Sequence, residues 1–256
     1  MKRLLLVLAL LPAAALAQDQ PAEGDAPPPP PPQPDGWLDG WSGAIEFGLN
    51  GSSGNTERVN FRGGANGVRK TTDNETDFFL NHSYAIDNGN NTENKTTGQL
   101  KNQWLFGADS PWRVFALGRV EHDRFQDWEY RISGYVGPAY SFINDETTTL
   151  VGRAGIGASR EFKGSDEDWH PEALLGADFT HKLSERQSIF ANLDVFPSLD
   201  DGGEFRAIAK AGWQILVDPE VNMSFKVGAE GRYDSDVPSG TRHGDLDYYA
   251  LLVWNW

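Results

Sequence analysis

Beyond residue 40 the chain alternates between apolar and polar positions, and the spacing typical of a helix is absent. The stretch NMSFKVGAEGRY, at Asn222–Tyr233, shows the pattern: Met223, Phe225 and Val227 share one face, and mostly polar residues occupy the other. Alternation with a period of two is typical of a strand with one apolar face. The pattern therefore predicts an all-β protein over residues 41–256.

Twelve such runs recur about every 18 residues. We place them at 41–51, 56–70, 76–87, 95–108, 112–123, 129–143, 147–161, 170–182, 188–198, 205–217, 222–233 and 245–256. Their length of roughly 10–15 residues exceeds that of most soluble strands and suits a tilted strand that crosses a bilayer. Tight turns and longer polar links alternate between them, as in outer-membrane barrels. These features predict a closed transmembrane antiparallel β-barrel of about 12 strands, with a secreted soluble β-sandwich as the alternative.

Aromatic residues predict where the barrel meets the two edges of the membrane. Alternation places Tyr248, Trp254 and Trp256 on the apolar face of the last strand. Rings of aromatic side chains flank the apolar band of a barrel in lipid. One predicted ring comprises Trp41, Phe78, Trp104, Phe106, Trp112, Tyr140, Phe142, Trp254 and Trp256, and the other comprises Trp128, Tyr130, Trp169, Tyr233 and Tyr248. We expect the terminal aromatic strand to be the signal for the barrel-assembly machinery as well.

The first 40 residues differ from the rest in composition. Residues 1–17 combine Lys2 and Arg3 with an apolar run and an Ala-Leu-Ala cleavage site, which predicts a secretory signal peptide. Residues 18–40 include six consecutive prolines, which favour an extended spacer, so we expect a Pro-rich periplasmic linker. Export followed by insertion of a barrel predicts the outer membrane of a Gram-negative bacterium.

The first predicted hairpin resembles that of a known family. Its segment WSGAIEFGLNGSSGNT contains the motif residues Trp41, Gly43, Gly48, Gly54, Asn55 and Thr56. With these residues and its terminal aromatic strand, the chain resembles a family of salt-stress-induced outer-membrane proteins, a domain of unknown function. The resemblance covers residues 41–256. It implies a monomeric outer-membrane barrel, linked to salt or osmotic stress, with no established activity.

The inward faces of the predicted strands carry 11 basic and 9 acidic residues, so the two signs are nearly balanced. The lumen-facing charged residues include Glu46, Arg58, Arg62, Lys101, Arg113, Arg119, Glu121, Arg131, Arg153, Asp178, Asp194, Arg206, Lys210, Lys226, Glu230 and Arg232, and the remaining acidic residues on these faces are Asp77, Glu161, Glu172 and Asp247. Twelve strands about 4.8 Å apart, tilted by about 40°, give a backbone radius of roughly 12 Å, which long side chains largely fill. We therefore expect a structural barrel with a salt-bridged interior or a narrow channel for ions or small solutes.

An outer-membrane hydrolase is the alternative from a different functional class. His82 and Asn102 fall on lipid-facing sides of the third and fourth strands, and a hairpin centred on residue 91 or 92 brings them together, as in outer-membrane phospholipases. Ser83 points inwards, so acyl transfer lacks its nucleophile. The pairs open to a protease are His122 with Asp123 and Asp168 with His170. Chance proximity explains these pairs, and we expect no enzyme.

Composition restricts the partners and cofactors. The chain has no cysteine and a formal net charge of −15, which excludes disulfides and thiolate metal sites and disfavours nucleic acid. The clusters Asp166–Asp168 and Asp200–Asp201 lack the spacing of a calcium loop. We expect no catalytic residue, cofactor or specific metal site. The expected partners are outer-membrane lipid, lipopolysaccharide, whose phosphates meet an acidic rim through diffuse divalent cations, and the assembly machinery.

Overall fold

The structure is a computed structural model that describes residues 39–52, 58–107, 110–164, 166–237 and 243–256. The predicted signal peptide, the linker up to residue 38 and the motif residues Gly54, Asn55 and Thr56 lie outside the described residues, as does the side chain of Arg58. In the part of the chain that is described, no helix is long and apolar enough to cross a membrane.

Twelve strands form one closed antiparallel barrel. They are β1 (Trp41–Ser52), β2 (Arg58–Lys70), β3 (Asn74–Asp87), β4 (Asn90–Leu105), β5 (Trp112–Asp123), β6 (Tyr130–Asn144), β7 (Thr148–Phe162), β8 (Trp169–Ser184), β9 (Gln187–Pro197), β10 (Phe205–Asp218), β11 (Met223–Asp234) and β12 (Gly244–Asn255). Each strand pairs with its neighbours in sequence, and β1 pairs with β12. The predicted class, closure and strand number are confirmed. The predicted strand ends agree within two residues everywhere except in β4.

The link between β3 and β4 is shorter than predicted. Asp87 pairs with Asn90, so Asn88 and Gly89 alone form the turn, with φ angles of +49° and +79°. Positive φ at both central residues defines the type I′ hairpin turn, for which Asn-Gly is a preferred pair. The prediction of a long polar loop over 88–95 is wrong. The polar residues after the turn belong to β4, because the inward positions of a barrel strand are polar as well.

The links at the two ends of the barrel differ in length. The terminal end, which holds the described start of β1 and the end of β12, has links at 71–73, 106–111, 145–147, 185–186 and 219–222. The far end has links at 53–57, 88–89, 124–129, 163–168, 198–204 and 235–243. Outer-membrane barrels keep short turns at the periplasmic side and longer loops outside. The link lengths therefore have the pattern of a barrel whose terminal end faces the periplasm.

The outer wall presents apolar side chains between two aromatic rings. The exposed apolar residues of the band include Ile45, Phe47, Leu80, Leu100, Val120, Ile132, Val136, Ile156, Leu175, Leu193 and Leu252. Exposed aromatic residues include Trp104, Phe106, Trp112, Phe142, Trp254 and Trp256 near the terminal end, and Tyr130, Trp169, Tyr233 and Tyr248 near the far end. Such a surface matches a wall in contact with lipid.

Trp128 departs from the predicted far-end ring. It is only 6% exposed, and the guanidinium carbon of Arg131 lies 4.4 Å from its ring centroid. Because Trp128 lies in the link before β6, alternation along a strand does not determine its direction. The indole packs over an inward-facing arginine instead of meeting the membrane.

β1 and β12 close the barrel through a short ladder. Their register covers four residue pairs, which join Ala44–Phe47 to Leu252–Asn255, whereas β1 and β2 pair at twelve positions. Two backbone hydrogen bonds between Gly43 and Trp256, of 3.0 and 3.3 Å, extend the contact toward the terminal end. The seam between the first and last strands therefore has fewer paired positions than the neighbouring β1–β2 ladder.

The motif glycines of β1 lie where β12 approaches. A Cβ atom on Gly43 would lie 2.5 Å from the indole of Trp256, and one on Gly48 would lie 2.6 Å from the β12 backbone. Real Cβ contacts are longer than this, so both positions favour glycine. Trp41, the remaining described motif residue, packs edge-on against Phe78 with 5.5 Å between ring centroids. The described part of the motif thus lies at the closing seam and the terminal aromatic ring.

Candidate functional site

The inner face of the barrel carries the charged side chains and is the candidate site. The structure places on it Glu46, Arg62, Lys101, Arg113, Arg119, Glu121, Arg131, Arg153, Asp178, Asp194, Arg206, Lys210, Lys226, Glu230 and Arg232. Several of their ion pairs join strands that are not neighbours in the sheet. Such pairs can form only across the lumen, so these side chains meet one another inside the barrel.

Arg153 of β7 is the centre of one network. Its guanidinium donates to Asp178 of β8 and, at 2.5 Å, to Asp194 of β9. Lys101 of β4 lies 3.2 Å from the same Asp178 and 3.4 Å from Asp77 of β3. Buried charges are tolerated when they are paired and hydrogen-bonded in this way. Two cations and three carboxylates therefore join β3 and β4 to β7, β8 and β9 through the interior.

Glu230 of β11 is the centre of a second network. Its carboxylate lies 2.8 Å from Arg62 of β2, 3.2 Å from Arg232 and 3.5 Å from Lys210 of β10. Arg232 also lies 2.8 Å from Asp247 of β12. One buried carboxylate thus holds three cations that come from three strands. The Arg62–Glu230 pair passes over both β12 and β1.

A third contact spans the seam as well. Lys226 of β11 donates to Glu46 of β1 at 2.7 Å, and Asn66 of β2 donates to the same carboxylate at 2.9 Å. Lys226 and Glu46 lie on either side of β12, so their ion pair bridges this strand from the inside. Where the backbone ladder is short, side chains add the connection between β11 and β1.

Arg206 of β10 donates hydrogen bonds to both carboxylate oxygens of Glu172 of β8. The Nη2 atom of Arg206 lies 2.8 and 2.9 Å from the two carboxylate oxygens, and the hydroxyl of Tyr135 also donates to Glu172. The ring of Phe196 lies 5.0 Å from the guanidinium carbon. A cation–π contact and charge-assisted hydrogen bonds therefore both hold the guanidinium of Arg206 in place.

An apolar cluster that the sequence pattern does not predict shares the inner face with these charges. Phe115 and Leu174 have no exposed surface, and they belong to a buried cluster with Tyr135, Phe196 and Ile208. The alternation of inward and outward positions along a strand (its parity) is the signal that could have identified the cluster. Phe115 lies two residues after Arg113 of β5, which faces inwards, so Phe115 faces inwards as well. The interior over β5 to β10 is therefore packed as a hydrophobic core and is not lined by charges alone.

His82 and Asn102 do not meet. In the β3–β4 register His82 pairs with Thr96 and Asn102 pairs with Thr76, six residues away. Six residues of strand correspond to about 20 Å. The predicted proximity is wrong because the hairpin turns at 88–89 and not at 91 or 92. Each side chain bonds to its register partner instead, with a 2.9 Å contact from His82 to Thr96 and 2.6 Å from Thr76 to Asn102.

The far-end histidines make local contacts. The Nδ1 of His122 donates to the carbonyl of Glu129 at 2.8 Å, and its ring stacks on Tyr130 at 4.9 Å. His170 lies 3.5 Å from Asp166. Over the residues that the structure describes, no three His, Cys, Asp or Glu side chains are grouped to hold a metal ion.

A polar cavity of about 490 Å³ opens at the far end. It is lined by Asn94, His122, Asp123, Arg124, Gln126, Asp127, Trp128, Glu129 and Lys163. The ammonium of Lys163 donates to the carboxylate of Glu129 at 2.5 Å. This hydrogen bond lowers the pKa of Glu129 and raises the pKa of Lys163. Both groups stay charged at neutral pH, so an exposed ion pair joins the β5–β6 and β7–β8 links.

Comparison with protein families classifies the chain. Residues 45–256 match a family described as "Protein of unknown function, DUF481". The chain belongs to the DUF481 family. The expected membership of a family of unknown function is thereby confirmed. The match includes Gly48 and the terminal strand with Trp256, whereas Trp41 and Gly43 precede it. No curated protein matches this DUF481 chain at a significant level.

Three solved structures illustrate what the DUF481 barrel is similar to. The translocator domain of the autotransporter NalP from Neisseria meningitidis shares 12% identity with a TM-score of 0.45, over 84% of this chain and 87% of that one. A structure of the NanC porin shares 11% identity with a TM-score of 0.49, over 84% and 98%. The β domain of the Bordetella autotransporter BrkA shares 9% identity with a TM-score of 0.40, over 84% and 97%.

Proposed function

We propose that the chain is a monomeric outer-membrane barrel of a Gram-negative envelope, with a sealed interior and a structural role in the membrane wall. The burial of the inner face carries this proposal. Phe115 and Leu174 have no exposed surface, and the side chain of Arg153 is 4% exposed. Side chains that line a water-filled pore are accessible to solvent. A wide channel is therefore disfavoured.

The distribution of the packed groups supports sealing around the circumference. The Arg153 network occupies β3, β4 and β7 to β9, and the Glu230 network occupies β2 and β10 to β12. The apolar cluster fills the space beside β5 to β10. The apolar outer band and its two aromatic rings support placement in a membrane, and the expected signal peptide supports export.

Planar-bilayer conductance of the refolded barrel tests the proposal. We expect no conductance, because paired charges and apolar side chains fill the lumen. The matched pair is Phe115→Ala, which removes a packed inward ring, and Val120→Ala, which shortens an outward side chain of the same strand. Phe115→Ala should introduce a measurable conductance, while Val120→Ala should not.

Other outcomes of this measurement distinguish the remaining alternatives. A small, mildly cation-selective current in the unmodified barrel, weakening near 1 M salt where the Debye length is about 3 Å, would support the narrow channel with acidic loops at its mouth. A large, anion-selective and salt-insensitive current would mean that the arginines form an open path, and the sealed interior would be wrong.

The remaining parts of the proposal concern chemistry and partners. We propose no enzymatic activity, because His82 and Asn102 lie far apart and bond to wall residues. The barrel-assembly machinery is the proposed partner of the terminal strand, since Trp254 and Trp256 are exposed on its outer face. The link to salt or osmotic stress rests on the resemblance at the first hairpin.

A further inference from the structure

Permanent charges are scarce on the outer wall in the half of the barrel nearer the far end. Among the outward-facing strand positions described there, Arg160 of β7 is the one side chain that carries such a charge. In register it pairs with Ile132 and Trp169, which are 40% and 55% exposed on the wall. Arg160 therefore points away from the lumen, at the level of the far-end aromatic ring.

The guanidinium of Arg160 is positioned by aromatic rings and not by an acid. Its central carbon lies 5.1 Å from the ring centroid of Phe162 and 6.0 Å from that of Trp169. Its Nε atom is covered and has no hydrogen-bond partner, and no ion pair joins Arg160 to any described residue. On the neighbouring strand, Arg131 pairs with Glu161 inside the barrel. The Nη groups of Arg160, which bond to no described residue, are therefore the donors that can meet an anion from the membrane side.

Aromatic rings surround Arg160 above the apolar band. We define the β6–β8 patch as Tyr130, Arg160, Phe162 and Trp169, in which Tyr130 pairs in register with Phe162. Lys163 lies beside the patch but is already paired with Glu129, so Arg160 is the cation that the patch offers to an anion. Four positions below Arg160, Ile156 is 66% exposed in the apolar band. The patch therefore lies where an apolar wall meets the headgroups of the membrane.

We propose that the β6–β8 patch binds a phosphate group of lipopolysaccharide in the outer leaflet, with Arg160 as the main ligand. The planar guanidinium matches phosphate with two parallel hydrogen bonds, and ring stacking holds its plane in place. Arg160 is the one permanent charge among the described outward-facing strand positions at this end of the barrel, so attraction for a phosphate is concentrated at its guanidinium. The inference rests on the proposed outer-membrane placement.

Lipid titration of the purified full-length protein in neutral detergent, followed by native mass spectrometry, tests this site. The probes are diphosphorylated lipid A and the same lipid A without its phosphates. The unmodified protein should bind the phosphorylated form about tenfold more tightly. Arg160→Gln should remove this preference, because it removes the charge and the paired donors. Arg160→Lys should retain part of it, since a point charge replaces the fork.

Arg186→Gln is the matched control. It makes the same change at an exposed arginine in the β8–β9 turn, at the opposite end of the barrel, and should leave the preference unchanged. Trp169→Leu, which removes one ring from Arg160, should weaken the preference even if Arg160→Gln fails to fold. Equal binding of the two lipids by the unmodified protein, or an unchanged preference in Arg160→Gln, would overturn the proposal. Cell fractionation reports outer-membrane placement independently of this titration.

Discussion

At the scale of single residues, the interior depends on charges that neutralise one another across the lumen. Asp178 meets Arg153 from the adjoining strand and Lys101 from four strands away. Removing two charges from water costs several kcal/mol per ion, and the attraction between them compensates only while both are present. The loss of one member therefore leaves the charge of its partner uncompensated. A buried residue of this kind should be far more sensitive than a paired residue at the surface.

Arg153→Met should lower the free energy of unfolding by about 3–5 kcal/mol, because it leaves the buried Asp194 and the partly buried Asp178 with less compensation. Lys70→Met is the control, since Lys70 is exposed and its pair with Glu75, at 3.3 Å, contributes at most about 1 kcal/mol. Urea unfolding in detergent micelles measures both. Shifts of equal size would contradict the burial of the Arg153 network.

Parity alone was enough to assign charged residues such as Arg62 and Glu230 to the inner face, because a strand has only two faces. The partners were not predictable. Which side chains meet across the lumen depends on how far the twelve strands are staggered around the barrel, and the sequence of one strand does not contain that quantity. The apolar cluster around Phe115 was not predictable for a different reason: polar side chains mark the inner face in the sequence, and this cluster is apolar.

At the scale of strands and turns, the polarity of a short segment does not distinguish a loop from a barrel strand, whereas the alternation of inward and outward positions does. The run after Gly89 is polar enough to resemble a loop, yet Asn90 already pairs with Asp87. A strand that turns polar side chains toward the lumen has the composition of a loop over short windows. The Asn-Gly pair itself was the more informative signal, since left-handed backbone at two successive residues restricts the choice of side chain. The start of β4 lies five residues before its predicted position, and no other strand end differs from its prediction by as much.

Gly89→Ala should lower the free energy of unfolding by about 1 kcal/mol, because its φ of +79° is unfavourable for a residue with a Cβ atom. A Cβ atom at this position would have no other atom within 4 Å, so the effect isolates backbone conformation from packing. Gly118→Ala provides the comparison, as Gly118 has equally open surroundings and no positive φ. Denaturant midpoints for both variants give the answer, and equal values would argue against the type I′ turn.

Folding of the barrel should be sensitive to a larger side chain at Gly43 of β1. A methyl group there would overlap both the indole of Trp256 and the β2 backbone, so Gly43→Ala should reduce the amount of folded barrel in the membrane. Trp256→Lys should do the same by removing the aromatic ring residue and the expected assembly signal together. Gly98→Ala is the control, because its nearest contact would be an ordinary 3.7 Å. Heat-modifiable migration on gels counts the folded fraction, and normal levels in Gly43→Ala would refute the close packing of the seam.

At the scale of the whole molecule, the barrel reverses the usual distribution of polarity. Its outer wall exposes residues such as Leu80 and Ile156, while residues such as Lys101 and Glu230 are buried. The arrangement is stable only where lipid covers the wall and the lumen excludes most water. Low average hydropathy is therefore compatible with a membrane protein of this class, because half of each strand faces inward. Strand number and closure followed from the sequence for this reason, whereas the degree of filling needed the structure.

The ion pairs that pass over β12 have a kinetic consequence. Lys226–Glu46 and Arg62–Glu230 connect strands on either side of β12, so parting the seam requires charge separation in the interior before water can enter. The four backbone pairs of the seam present a small barrier on their own, and the two charge contacts raise it. The closed state is then protected by a slow rate of opening as much as by its equilibrium stability. Once closed, the barrel should persist in the membrane for far longer than its short terminal ladder alone would allow.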